Sequence, residues 1–227
     1  MNNFIELKNL SKNFFSTKKV KVLKKINFRF KVGKIYCLMG PSGSGKSTLL
    51  NIISLIDRPS TGSIKFQNID INFNKSMEND IFRANNIGII YQQDNLLPDF
   101  TALENVYLAC LAAGVEKKIA KNKAKDILKK VGLFNRLDHY PSELSGGEKQ
   151  RVSISRALIN EPKIILADEP TGSLDKKTSE EIFGLLKKQI NPKRFIIFAT
   201  HNRFLANKSD CLLEMVDGNI KSTNARV

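Results

Sequence analysis

Gly40-Pro41-Ser42-Gly43-Ser44-Gly45-Lys46-Ser47 is the stretch on which the reading of this sequence turns. It satisfies the pattern G-x-x-x-x-G-K-[ST] at every constrained position. The short apolar run Lys34–Met39 enters it, and Ser47–Ile56, apolar and helix-friendly, leaves it. Strand, glycine-rich loop and helix in that order are the setting of a phosphate-binding loop. Glycines let the backbone curl until successive N–H groups point inward at an anion. The helix that follows turns its positive end to the same anion. Lys46 is then expected on the outer phosphates of a nucleoside triphosphate, and Ser47 on Mg²⁺.

Further along, Ile164-Ile165-Leu166-Ala167 reads as a buried central strand that delivers Asp168 and Glu169 at its end. Beside a phosphate loop, Asp168 is expected to hold Mg²⁺ directly or through water, and Glu169 to polarise the attacking water. Leu144-Ser145-Gly146-Gly147-Glu148 precedes a helical stretch. The pentapeptide by itself reads either as a turn with an N-cap or as a second anion cradle without a lysine. A second cradle in a chain that already has one makes sense if two chains share each nucleotide.

Outward from these motifs, residues 3–10, 22–30 and 87–91 read as strands, and 59–66 as a turn leading to a strand. Residues 93–160 are helical in character. Thr101 and Glu104 form a capping-box pattern. Residues 117–131 carry an apolar face of Ala120, Ala124, Ile127, Leu128 and Val131 under a coat of lysines. That coat reads as a solvated face. Ser179–Gln189 is expected as a helix, and Phe195–Ala199 and Asp210–Met215 as strands. The sum is an α/β chain with a helical insertion and some antiparallel strands at its start. The composition is 41% hydrophobic and 26% charged, which suits a folded chain with a real core. No run approaches the ~18 apolar residues of a membrane helix, and Met1–Glu6 lacks the basic-then-apolar layout of a leader. Cys37, Cys110 and Cys211 show no metal or disulfide spacing and read as small core residues. The formal charge of +15 attracts polyanions, but the abundance of Lys, Asn and Ile also fits a compositional bias.

Taken together, Leu144–Glu148 followed by Lys149-Gln150-Arg151, and a strand ending Asp168-Glu169-Pro170-Thr171, resemble the nucleotide-binding domain of ABC transporters over nearly the whole chain. The fold that this implies is α/β, a P-loop NTPase core of ABC ATPase type. An antiparallel β subdomain accompanies it (core and β parts at about 1–92 and 161–227), with an inserted α-helical subdomain at about 93–160. The resemblance makes Gly40, Pro41, Ser42, Gly43, Ser44, Gly45, Lys46, Ser47 and Thr48 the Walker A contacts to ATP, and Ser145, Gly146 and Gly147 the signature contacts. It makes Gln92 the Q-loop glutamine near Mg²⁺ and the γ-phosphate. Asp168 becomes the Walker B metal ligand, Glu169 the catalytic base, Asp175 the D-loop aspartate and His201 the γ-phosphate sensor. Phe14 falls where the family stacks an aromatic, commonly Tyr, on adenine, with Phe15 beside it. Asn202 stands where the family often has Asp, so local hydrogen bonding is expected to differ there. His139 matches nothing.

The segment Leu96–Val106, with Ala167–Asp175, resembles the lipoprotein-releasing branch of that family, whose relatives include macrolide-efflux and cell-division ATPases. That implies a homodimer of this subunit, head to tail with ATP at the interface. Its partners would be two transmembrane permease subunits at the cytoplasmic face of an inner membrane, with no nucleic acid among them. Macrolide-efflux or cell-division complexes are the alternatives, and a soluble nucleic-acid-associated ATPase is a weaker one. A non-hydrolysing cassette would be expected to lack Glu169 or His201.

Overall fold

In a computed structural model that describes residues 3–15 and 19–225, every apolar run read as a strand is one. Met1 and Asn2, part of the stretch read for a leader, lie outside the described residues. The chain divides into two compact units. The described residues up to Asp80, with those from Ile190 onward, form one; Ile81–Gln189 form the other.

The first unit begins with two 13-residue strands, β1 (Asn3–Phe15) and β2 (Lys19–Lys31), paired antiparallel. Both run several residues beyond the spans read from sequence, because lysines and asparagines fill the exposed side of the alternation. Leu23, Ile26 and Phe30 are buried along β2 while the residues around them stay wet. β4 (Thr61–Phe66) pairs with the other edge of β1, placing Ile5 opposite Phe66 and Leu7 opposite Ile64. β5 (Ile69–Asp70) adds a short antiparallel edge that the sequence did not announce.

The same unit holds β3 (Ile35–Met39), which runs parallel to β8 (Phe195–Ala199) on one side and to β9 (Cys211–Val216) on the other. β10 (Asn219–Ala225) closes on β9 antiparallel. β3 and β8 are buried almost throughout, the mark of parallel strands covered on both faces. Phe4, Phe30, Tyr36 and Phe195 interlock at ring distances of 4.9–6.2 Å, in the edge-on and stacked geometries that aromatic rings favour. The Tyr36 hydroxyl accepts from the Lys31 N–H at 2.7 Å. Burial pushes its pKa up to about 12, because the charged phenolate is the form that loses water. Cys37 and Cys211 are buried here and Cys110 in the other unit, as their spacing suggested.

α1 (Lys46–Ile53) follows β3 and stops short of the expected Ile56. Leu55 takes a left-handed φ of +61°, which a right-handed helix does not tolerate. α7 (Arg203–Ala206) is a short turn absent from the sequence reading. α2 (Ser76–Asn86) was missed too. Apart from Asn79 it buries no residue fully, and its large apolar residues, Met77, Ile81 and Phe82, are too few over a polar stretch to have singled it out.

In the second unit, β6 (Ile87–Ile90) pairs parallel with β7 (Ile164–Asp168), Ile90 opposite Ala167. The segment read as helical contains α3 (Ala102–Ala112), α4 (Lys117–Lys130) and α5 (Gly146–Leu158) around one apolar cluster. Ala120, Ala124, Leu128 and Val131 supply the α4 side of it, and Ile127 packs at its margin. At the start of α3, Thr101 Oγ1 accepts from the Glu104 N–H at 3.2 Å. The Glu104 carboxylate accepts from the Thr101 N–H at 3.0 Å in return, completing the expected box. α6 (Lys176–Lys187) begins three residues before the expected Ser179, because Asp175 caps it and an aspartate at that position satisfies the first free N–H groups.

β6 lies hard against α5 at one point. A Cβ on Gly88 would stand 2.3 Å from the Ala157 carbonyl oxygen. Gly88→Ala should therefore lower the stability of this unit by about 1–3 kcal/mol, read as a fall in the urea midpoint. An unchanged midpoint would show that the contact is slack.

Candidate functional site

The phosphate loop leaves β3 at Gly40. This position admits no side chain, since a Cβ would sit 2.2 Å from the Met215 carbonyl oxygen. Gly45, at φ +102°, sets the left-handed turn into α1 that glycine adopts without steric cost. No side chain caps α1, so its first N–H groups meet no side-chain acceptor. Lys46 is buried, and its Nζ donates to the carbonyls of Gly40 at 2.8 Å and Pro41 at 3.1 Å, holding the loop in a curl. The Ser44 hydroxyl is buried with no hydrogen-bond partner. An uncapped helix start, a fixed ammonium and an orphaned hydroxyl together fit a bound phosphate. Pro41, Ser42, Gly43 and Ser47 line the loop with Ser47 exposed and Thr48 partly so.

His201 follows β8 and is exposed. β3 and β8 are parallel neighbours with Leu38 opposite Ala199. The loop and His201 therefore emerge from the same carboxyl-terminal edge, where α/β sheets bind ligands. The Thr200 N–H donates to the Leu38 carbonyl at 3.1 Å, locking that spacing. Asn202 caps α7: its Oδ1 accepts from the Phe204 and Leu205 N–H groups at 3.0 and 3.4 Å.

Phe14 lies near the end of β1, 46% exposed, with the Lys12 ammonium 4.9 Å from its ring centre, within reach of the ring's negative face. Lys12 is itself pinned by Asp57 at 2.6 Å and the Arg58 carbonyl at 2.8 Å. Phe15 is 75% exposed, beneath Lys19. The sequence reading passed over Lys12; only its place two residues before an exposed aromatic in a strand hinted at it.

In the second unit, Gln92 follows the end of β6 as Asp168 and Glu169 stand at the end of β7, and the parallel register puts them on one edge. A Cβ on Gly172 would come within 3.0 Å of Gln92 Nε2, so the glutamine lies against the turn that follows Glu169. That turn is closed by the Gly172 N–H donating to the Glu169 carbonyl at 3.0 Å. Glu169 holds a left-handed φ of +49°. For a glutamate that is a strained setting, and such settings cluster at functional sites.

Ser145 caps α5, and Gly146 and Gly147 open its first turn. Ser145 Oγ accepts from the Glu148 N–H at 3.3 Å and the Glu148 carboxylate accepts from the Ser145 N–H at 2.8 Å. The N-cap reading of this pentapeptide is thus realised. Gly147 packs so close to α6 that a Cβ would meet Thr178 Cγ2 at 2.9 Å. Thr178 in turn donates its N–H and hydroxyl to Asp175 at 3.0 and 2.5 Å. Those bonds, the hydroxyl's first, hold the Asp175 carboxyl below the usual range, since they favour its charged form. The Ser145–Gly147 turn and Asp175 are therefore joined through Thr178, which the sequence reading missed because a threonine three residues past an aspartate signals only a cap.

A family model described as ABC transporter matches residues 23–172. The chain belongs to the ABC transporter family. It is 45% identical, over 99% of its length and 100% of the relative's, to the lipoprotein-releasing system ATP-binding protein LolD of Wigglesworthia glossinidia brevipalpis. It is 43% identical, over 95% of each chain, to the uncharacterized ABC transporter ATP-binding protein YvrO of Bacillus subtilis. Among solved structures it is similar to the dimeric post-hydrolysis state of the ATP-binding cassette MJ0796 bound to ADP and Pi. That match has a TM-score of 0.89 and 38% identity and covers 97% of this chain and 98% of that one.

The Ser145 N–H and then the Arg136 guanidinium, 2.9 Å away, hold the Glu148 carboxyl below its ordinary value. A lowered folded pKa stabilises above the unfolded value of about 4.3 and ceases to as pH falls through the folded one. Wild type should therefore be more stable than Glu148→Gln at about pH 6, and the gap in urea midpoints should close as pH drops below about 4. A gap independent of pH would remove the charge from the cap.

Proposed function

We propose that this chain is the ATP-hydrolysing subunit of an ABC complex that releases lipoproteins from the bacterial inner membrane. The observation that carries the ATPase reading is the loop in which Lys46 is held by the Gly40 and Pro41 carbonyls beside the unpartnered Ser44 hydroxyl. The cargo reading rests on 45% identity, end to end, with a lipoprotein-releasing ATP-binding protein.

ATP is the substrate. Gly40–Thr48 of one copy and Ser145, Gly146 and Gly147 of a second hold its phosphates, with Phe14 against the adenine. Mg²⁺, whose hard oxygen preference suits Ser47, Asp168 and Gln92, offsets phosphate charge when bound. Glu169 takes the proton of the attacking water, a role worth ~10²–10⁴ in rate. His201 reads the γ-phosphate, and Gln92 relays its presence to the surface around Leu96–Thr101, where Leu97 and Phe100 are exposed. The partners are two transmembrane permease subunits, with the helical lobe of about 93–160 turned to them, and the complex sits on the cytoplasmic face of the membrane. No helix among the described residues is long and apolar enough to cross a bilayer.

The division of labour follows from energetics. Withdrawing acyl chains costs ~0.8 kcal/mol per CH₂, on the order of tens of kcal/mol for a multiply acylated protein. The partners shelter the lipid and this chain supplies the work. Moving a pair of states from mostly open to mostly closed takes ~5.5 kcal/mol of differential binding, within reach of nucleotides shared across an interface.

Glu169→Gln should bind ATP, lose turnover by about 10²-fold or more, and accumulate as an ATP-bound dimer on gel filtration. Near-normal turnover would refute the base assignment. Phe100→Glu should keep basal hydrolysis and lose co-purification with the membrane subunits; an unaffected pull-down would move the coupling surface elsewhere. Mass spectrometry of the native complex identifies those subunits, and partners other than a lipoprotein-releasing permease would overturn the cargo.

A further inference from the structure

The backbone on both sides of Gln92 is bonded to a single helix. Upstream, Gln150 of α5, a buried side chain, donates its Nε2 to the Tyr91 carbonyl at 3.4 Å. Downstream, Arg156 in the last turn of α5 spans two successive carbonyls: Nη2 donates to Asp94 and Nη1 to Asn95, both at 2.7 Å. Asn95 takes a left-handed φ of +48°, which turns the chain beyond the bend. Past that point Asn105 of α3, also buried, accepts from the Leu97 N–H at 2.8 Å and donates to the carbonyls of Leu97, Phe100 and Thr101. In each of these bonds the loop offers its main chain; α5 and α3 grip it there.

Arg156 is half-buried with carbonyls for its hydrogen-bond partners, which costs a guanidinium solvation, and that burial pulls its pKa below the ordinary value even with the Asp94 carboxylate nearby. A packed hydrocarbon would fill the same space without that desolvation. What the guanidinium adds is direction. Its planar fork fixes two neighbouring carbonyls at once, which a single ammonium does not do. The other end of the helix it belongs to is Ser145-Gly146-Gly147.

We infer that Arg156 is a positioning residue that ties the Gln92 loop to the signature helix, so that the two shift as one body and turnover depends on that tie. This rests on the roles proposed above for Gln92 and the signature turn. It adds that, within one chain, the relay from γ-phosphate to partner surface and the cradle offered to the second copy share a mechanical element.

The test uses the full chain with Arg156→Met and Arg156→Lys, with Arg156→Gln standing in if the methionine variant is not recovered folded. Two readouts are taken: ATP kinetics with equilibrium ATP binding, and amide exchange of Leu96, Leu97 and Phe100. In Arg156→Met, kcat should fall by up to about 10²-fold, the scale of a misplaced group near the chemistry, while ATP affinity stays within about threefold. Exchange of the Leu96 and Leu97 amides should quicken about tenfold as the loop opens locally. Arg156→Lys should recover part of both effects. Unchanged exchange in Arg156→Met overturns the tie, whatever the kinetics. Faster exchange with wild-type kcat overturns its importance for turnover, as does a loss of kcat matched by an equal loss of ATP affinity. A wild-type chain that turns over no ATP, yet shows the exchange difference, strikes the ATPase reading and leaves the tie standing.

Discussion

A helix start without a cap is the constraint from which the rest of this molecule follows. β3 is apolar and buried almost throughout, as a parallel strand covered on both faces must be. It delivers the chain to its carboxyl-terminal edge with no polar side chain there to offer. α1 opens at that edge with no capping side chain, and the Lys46 ammonium already holds two carbonyls of the loop. Donors and positive charge are thus concentrated where acceptors are few. Phosphate oxygens complete such a site better than water, because they carry charge and accept several bonds at once.

α5 has a comparable place in the second unit. Its first turn presents Ser145 and two glycines, and Gly147 touches the helix capped by Asp175. Gln150 and Arg156 hold the loop bearing Gln92, and Arg151 bonds Glu181 of α6 at 2.6 Å. One 13-residue helix therefore contacts the neighbours of nearly every motif in that unit. Such concentration explains why its buried face is built from small and polar residues as well as apolar ones: Ser153 and Ser155 are fully buried.

Much of this was legible in the sequence because the physics behind it is local. A G-x-x-x-x-G-K-S run imposes its own backbone, Thr101 and Glu104 cap each other across three residues, and Ile164–Ala167 and Phe195–Ala199 are apolar enough to be strands in any setting. What escaped depended on distant partners. α2 is mostly polar and buries little, α7 is a single turn held by Asn202, and β10 exists only because β9 offers an edge. Among site residues, Thr178 and Arg156 are ordinary as letters. Their importance emerges only once Gly147 and the Asp94 carbonyl are seen beside them. The roles given to individual motif residues came from resemblance to a family, and spacing alone would have left Gln92 and His201 without assignment.

The left-handed backbone of Glu169 has a consequence for how this protein varies. Holding a β-carbon in that basin costs on the order of 1 kcal/mol or more, and glycine escapes the cost entirely. Replacing the whole Glu169 side chain with hydrogen thus relaxes the polypeptide while removing the carboxylate proposed above as the base. Libraries selected for heat resistance alone would drift toward glycine there, and on the proposed role of Glu169 the acid survives only where growth depends on hydrolysis.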